Sequence, residues 1–222
     1  SATPALSPRA PPITRALPMP SFPILLVAAL AAYLLGSVSF ALLSSRLFGL
    51  ADPRTYGSRN PGATNVLRSG HKGAAIFTLL GDAVKGWFAV WFANGYSAAH
   101  GLGDMVMSVA AVAVFLGHLY PVFLKFRGGK GVATAAGVLL ALDPWLGLAT
   151  LATWLLIAFA LRYSSLAALV AAAAAPIYAT LLWGGDPKVA TVGIIAMALI
   201  GKHWQNLQRL MAGAEPKIGT KK

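Results

Sequence analysis

Apolar residues along this chain come in long blocks, and polar residues collect in short stretches between them. The blocks are Pro23–Leu43, Ala74–Ala93, Met105–Leu124, Val132–Leu142, Trp145–Leu161, Leu166–Trp183 and Val189–Ile200. As a helix, a block of about 20 residues spans a hydrocarbon core of about 30 Å. The pattern predicts an all-α integral membrane protein with seven transmembrane helices. Val132–Leu142 is short, about 16 Å as a helix, and also fits a re-entrant segment. Asp143-Pro144 and Gly184–Lys188 read as turns of tight helical hairpins. The first block has a second reading as a secretory signal, since Arg9 and Arg15 precede it and Ser37-Val38-Ser39 resembles a cleavage site. Its length, and Arg46 and Arg54 behind it, favour a retained helix. Residues 1–22, with six of the fourteen prolines and no long apolar run, read as a disordered leader. Residues 23–222 form a single multi-pass membrane domain.

Composition supports this division. Apolar residues make up 57% of the chain and charged ones 11%, against about 25% charged in a soluble domain. The net charge of +12 would suggest nucleic acid in a soluble protein. In a membrane protein, cations gather on the cytoplasmic side, so a lipid bilayer and no nucleic acid is the expected environment. With seven crossings and the N-terminus outside, 14 of the 18 Lys and Arg residues fall on the inside. A re-entrant Val132–Leu142 would move the last five of these outside and weaken the asymmetry, so the charge pattern favours seven crossings and a cytoplasmic C-terminus. The absence of cysteine excludes disulfides and any thiolate metal site or nucleophile.

Three polar stretches share the predicted cytoplasmic face. The first, Gly57–Gly70, reads GSRNPGATNVLRSG: two arginines, two asparagines and three hydroxyl side chains, without an acid. The second, KFRGGKGVATAAG from Lys125 to Gly137, brings Lys125, Arg127 and Lys130 together with Gly128 and Gly129 at the start of a helix. Glycine lets a backbone approach a ligand closely, and helix N-termini favour anions, so a phosphate is the expected guest. It is not a Walker A loop, because Leu124 replaces the first glycine and Gly131 the Ser or Thr after the lysine. The third, Gly201–Gly219, spaces His203, Asn206 and Arg209 by three, on one face if a helix continues through them. Within the blocks, Asp82 and Lys85 are placed to pair at i, i+3, and His118 near the end of its span reads as a packing anchor or a site wall.

The only acids in the cytoplasmic loops are Asp52 and Glu215. Metal-assisted phosphoryl chemistry needs clustered carboxylates, so neither a metal nor any other cofactor is expected. Several cations at one membrane face suit anionic substrates, whose mutual repulsion would otherwise keep them apart.

At this point the chain resembles a known family, the bacterial acyl-phosphate-dependent glycerol-3-phosphate acyltransferases, over about residues 24–219. The resemblance lies in YLLGSVSFA, GSRNPGATNVLR, FRGGKGVATAAG and KHWQNLQRLMAGAE, with LGDAVKG and GHLYPVF between them. It implies transfer of an acyl group from acyl phosphate to the 1-hydroxyl of glycerol 3-phosphate at the bacterial inner membrane. By motif position it implies a site made of Ser58, Asn60, Asn65 and Arg68, then Gly128, Gly129 and Lys130, then His203 and Asn206. The second motif is associated with glycerol 3-phosphate, and its cations Lys125 and Arg127 are expected to help hold substrate. Arg68 and Lys130 would neutralise phosphates, and Ser58 and the asparagines would orient oxygens. Acyl phosphate is already activated, so positioning and electrostatics suffice. The base for the attacking hydroxyl is either His203 or a substrate phosphate oxygen; nearby phosphates would raise the His203 pKa and favour an anchoring role.

Other readings remain: a transporter or channel for phosphate esters, a His-x4-Asp acyltransferase, or a non-catalytic lipid-binding scaffold. No second copy of the glycine-rich stretches supports the first, and no histidine has Asp five residues on, which disfavours the second.

Overall fold

The structure, a computed structural model, describes residues 19–219. The leader expected at residues 1–22 lies almost wholly outside them. Among the described residues every regular element is helical: α1 (Phe22–Gly36), α2 (Phe40–Leu47), α3 (Ala63–Leu67), α4 (Lys72–His100), α5 (Met105–Leu119), α6 (Val132–Leu142), α7 (Pro144–Leu161), α8 (Ser164–Trp183), α9 (Lys188–Lys202) and α10 (Trp204–Met211), with a 3-10 turn at Val122–Leu124.

Among the described residues, five stretches are long and apolar enough to cross a membrane: Phe22–Leu47, Lys72–His100, Met105–Leu124, Pro144–Leu161 and Ser164–Trp183. The seven-crossing reading also requires α6, with 11 residues, and α9, with 15. The first stretch is broken at Ser37–Ser39 into α1 and α2, which the run of apolar residues does not reveal. Side chains around the bundle point outward in the manner of a lipid-facing surface: Phe159 is 91% exposed and Leu181 79%. The polar residues Thr78, Asp82, Lys85, His118 and Thr134 are buried instead. This inversion removes intramembrane polar groups from hydrocarbon.

Small residues let the central helices approach closely. A Cβ added at Gly36 would collide with the Val114 carbonyl, and one at Gly117 with the Tyr33 carbonyl, which fixes the α1–α5 crossing. Gly86 and Gly137 do the same for α4 and α6, against the carbonyls of Thr134 and Ala83. Such glycine contacts drive association where lipid offers no hydrophobic force between helices. At one end, Asp143 caps α7 by accepting from the Trp145 and Leu146 amides and also from Trp183 Nε1 at the end of α8. Lys188 at the start of α9 pairs with Asp104, 3.0 Å away, before α5. The connections at the other end are longer and build the site.

Candidate active site

The first loop is pinned by its own asparagine. Asn65 Nδ2 donates to the Pro53 and Tyr56 carbonyls, and Oδ1 accepts from the Ser58 amide at 2.9 Å. The residue is 1% exposed. Both amide hydrogens and one oxygen lone pair are thus engaged within the loop, so Asn65 positions Ser58. The loop is tight: Gly57 and Arg59 both have positive φ, at 57° and 56°. It leaves Ser58 exposed, Asn60 half-buried and Arg68 exposed at the end of α3.

The second stretch divides. Lys125 and Phe126 take left-handed backbone, φ 52° and 62°, and this turn sends the chain two ways. Lys125 and Arg127 face Arg46 and Arg54 around an open cavity of about 650 Å³ that also involves Leu42, Phe123 and Leu124. The two cations expected to help hold substrate thus line this basin. Gly128 and Gly129 instead lie flat on His118 and Pro121, where a Cβ at either position would collide. Gly129 also donates to the His118 carbonyl at 3.2 Å.

Beyond the glycines, Lys130 Nζ donates to Asn206 Oδ1. Asn206 Nδ2 donates to Glu215 Oε1 at 2.6 Å, which also accepts from Ser165 Oγ at 2.7 Å. Arg209 Nε completes the carboxylate at Oε2, 2.7 Å away. Glu215 is therefore the hub of the third motif, joining α8, α10 and the C-terminal segment. Ser165 carries no sequence signal of this role. The segment is tied further by Arg162, whose guanidinium donates to the Ile218 carbonyl and whose own carbonyl accepts from the Ile218 amide. Burial works to raise the Glu215 pKa, but the bonds from Ser165, Asn206 and Arg209 outweigh it and hold the carboxyl below its usual value.

The helix does not continue through the third motif. α9 ends and α10 begins at His203, which caps both. His203 is 3% exposed, and its Nδ1 lies 2.9 Å from the Leu199 carbonyl. A carbonyl only accepts, so Nδ1 carries the hydrogen and Nε2 keeps a lone pair. Burial pushes the imidazole down to about 4; the Leu199 carbonyl opposes this, Lys130 adds to it, and Glu215 opposes it. In the free protein His203 is thus neutral at pH 7, opposite to the rise expected when phosphates are present.

Lys130 is pushed down to about 8, first by burial, with Glu215 acting against it and the charges of Arg209 and Arg68 repelling it further. Arg68, Lys130 and Arg209 therefore share one electrostatic neighbourhood, with Glu215 as its carboxylate. An incoming dianion would relieve this repulsion and raise the Lys130 pKa again.

A helical bundle with long apolar helices and a cationic polar site built from loops at helix breaks defines an integral membrane protein equipped for anionic groups. The profile of the glycerol-3-phosphate acyltransferase family matches residues 26–213. The glycerol-3-phosphate acyltransferase of Dechloromonas aromatica is 67% identical over 196 residues, covering 88% of this chain and 97% of that protein. The Cupriavidus taiwanensis protein of the same name is 62% identical over 197 residues, covering 89% and 98%. This chain belongs to that family, and is a multi-pass membrane acyltransferase of phospholipid biosynthesis. Its fold is similar to that of PlsY (YgiH), an integral membrane glycerol 3-phosphate acyltransferase. The glycerol 3-phosphate form of PlsY superposes with a TM-score of 0.81 at 36% identity, covering 88% of this chain and 96% of that one. Its lysophosphatidic acid form gives 0.79 at 35%, with the same coverage.

Proposed function

We propose that this enzyme transfers an acyl group from acyl phosphate to the 1-hydroxyl of glycerol 3-phosphate, giving 1-acylglycerol 3-phosphate and inorganic phosphate. The observation that carries this reading is the Lys130–Asn206–Glu215 chain beside His203 and Arg68. It is a polar site rich in cations, and its carboxylate already accepts three hydrogen bonds. The relatives' names and the ligands of the two PlsY structures support glycerol 3-phosphate as acceptor. The acyl phosphate donor rests on the motif resemblance and on the chemistry. The glycerol oxygen attacks the acyl carbon, a C–O bond forms, and the acyl C–O bond to phosphorus breaks. The phosphate leaves with the electron pair. The hydroxyl proton passes to a phosphate oxygen, while the His203 Nε2 lone pair accepts a hydrogen bond from the neighbouring 2-hydroxyl and so orients the attack. Lys130 and Arg68 offset the charge of two phosphates brought together. Ser58, held by Asn65, and Asn60 orient substrate oxygens.

A leaving phosphate needs little further activation, so turnover is expected to persist in EDTA. Activity abolished by EDTA and restored by magnesium would contradict the metal-free mechanism.

We infer seven crossings of a bacterial inner membrane, with the N-terminus outside and the active site facing the cytoplasm. The distribution of Lys and Arg supports this orientation. Because the chain lacks cysteine, a single cysteine at Gly213 gives a clean reporter. It is expected to escape an impermeant thiol reagent in intact cells and to react after permeabilisation. Labelling in intact cells would overturn the orientation.

A further inference from the structure

A buried charged group lies directly beneath the glycine turn, and the acyl-transfer steps do not use it. Lys85 Nζ is 2.8 Å from Asp82 Oδ1, both side chains being almost fully buried. His118 Nδ1 is 3.5 Å from the same oxygen. Lys85 also donates to the Val38 carbonyl at 2.6 Å. Val38 lies in the break between α1 and α2, where a carbonyl has no helical partner. On its outer side, His118 carries the turn. Its carbonyl accepts from the Gly129 amide at 3.2 Å, and its ring and carbonyl leave no room for a Cβ at Gly129 or Gly128. The Pro61 carbonyl of the first loop closes on Gly129 from the other side, 3.1 Å from where a Cβ would stand. One group thus ties together the α1–α2 break, α4, α5 and the turn that ends in Lys130.

A buried ion pair is weak evidence for stability, because apolar residues of equal volume often serve as well. Here the pair does something an apolar lock cannot. It sets a carboxylate 3.5 Å from the His118 ring nitrogen, and it satisfies a carbonyl at a helix break.

We propose that Asp82, Lys85 and His118 are positioning residues that seat the Gly128–Gly129 turn and so set where Lys130 meets the phosphate of glycerol 3-phosphate. This rests on the acyl-transfer reading above. A misplacement of about 1 Å at a binding group is enough to cost about 100-fold. The defect should be selective: KM for glycerol 3-phosphate rises, while KM for acyl phosphate and thermal stability change far less.

The test compares His118→Ala, His118→Gln and the charge-balanced double variant Asp82→Asn with Lys85→Met, in lipid nanodiscs. The double variant avoids leaving one buried charge alone, so it remains informative if Asp82→Asn by itself fails to fold. His118→Ala and the double variant are expected to raise KM for glycerol 3-phosphate by about 10- to 100-fold, and His118→Gln should recover part of the loss. Hydrogen exchange over residues 125–131 should quicken in the same variants. Wild-type KM values with only a lowered melting temperature would overturn the proposal and leave a structural lock. An equal rise in both KM values would also overturn it, as general loosening. The exchange readout needs no turnover. An inactive wild type would therefore count against the acyl-transfer reading, while unchanged exchange at 125–131 would count against the seating alone.

Discussion

Lys130→Ala is expected to lower kcat/KM by about 100- to 1,000-fold, the cost of removing one preorganised charged donor from a partly dry site. Lys130 is buried enough to be pushed down to about 8, and Asn206 and Glu215 hold it from one side. Its loss leaves Arg68 and Arg209 to face the phosphates alone. Arg68→Ala is expected to act in the same direction. Lys217→Ala serves as the comparison, since its ammonium lies over the Tyr163 ring, 5.5 Å from the centroid, and the motif resemblance gives it no site role. It should retain near wild-type activity. Equal losses at Lys217 and Lys130 would mean that bulk potential, and not a built site, attracts the substrates. The pH dependence follows in sign. A lysine near 8 loses its charge as pH rises through that value, so KM for the phosphate substrates should climb on the alkaline side. Bound dianion raises the lysine pKa, so the kcat limb should lie at higher pH than the kcat/KM limb. Lys130→Arg stays protonated throughout and should lose that limb even if its different shape lowers the rate. An alkaline limb unchanged in Lys130→Arg would assign it to another group.

His203→Ala is expected to cost about 100-fold, within the range for a lost acid–base or orienting group. His203→Gln should retain measurably more. The ring is fixed by its bond to Leu199, and with Nδ1 protonated only the Nε2 lone pair is on offer. Its pKa near 4 in the free protein makes it a weak base, suited to anchor the 2-hydroxyl of the glycerol by accepting its hydrogen bond rather than to remove the proton of the attacking hydroxyl. Since kcat/KM reports the free enzyme, its profile should show no histidine limb between about pH 5.5 and 7.5. Phosphates in the bound complex raise the pKa, so kcat is the place to look for proton transfer. If His203→Gln is as inactive as His203→Ala, and wild-type kcat rises with pH through a histidine-like pKa, His203 is the base and the phosphate-base account is wrong.

Much of this arrangement was legible in the sequence because membranes simplify patterns. Blocks such as Val132–Leu142 and Leu166–Trp183 became helices nearly to the residue. The i, i+3 spacing of Asp82 and Lys85 gave their ion pair. What escaped was geometry set by tertiary contact. Ser37–Ser39 breaks the first apolar run where the chain turns toward the glycine loop, and hydropathy does not register a break made of three small residues. The helix ends at His203 although nothing in the spacing of His203, Asn206 and Arg209 requires it. The motif position of Asn65 gave no sign of its bonds to three neighbouring loop groups, which pin the loop. Lys125 and Arg127 line an open cavity with Arg46 and Arg54, and the left-handed turn at Lys125 and Phe126 beside it carries no hydropathy signal. Glu215 was visible only as an acid in the third motif. Its role depends on Ser165, fifty positions away.

The donor is the central claim, and one measurement tests it most directly. Purified protein in nanodiscs is given labelled glycerol 3-phosphate and, in parallel reactions, synthetic acyl phosphate or acyl-CoA of the same chain length, with lipid products separated by thin-layer chromatography. The account predicts labelled 1-acylglycerol 3-phosphate with acyl phosphate, with release of one inorganic phosphate per product, and none with acyl-CoA. Product formed from acyl-CoA at a comparable rate, or no product from acyl phosphate, would contradict it.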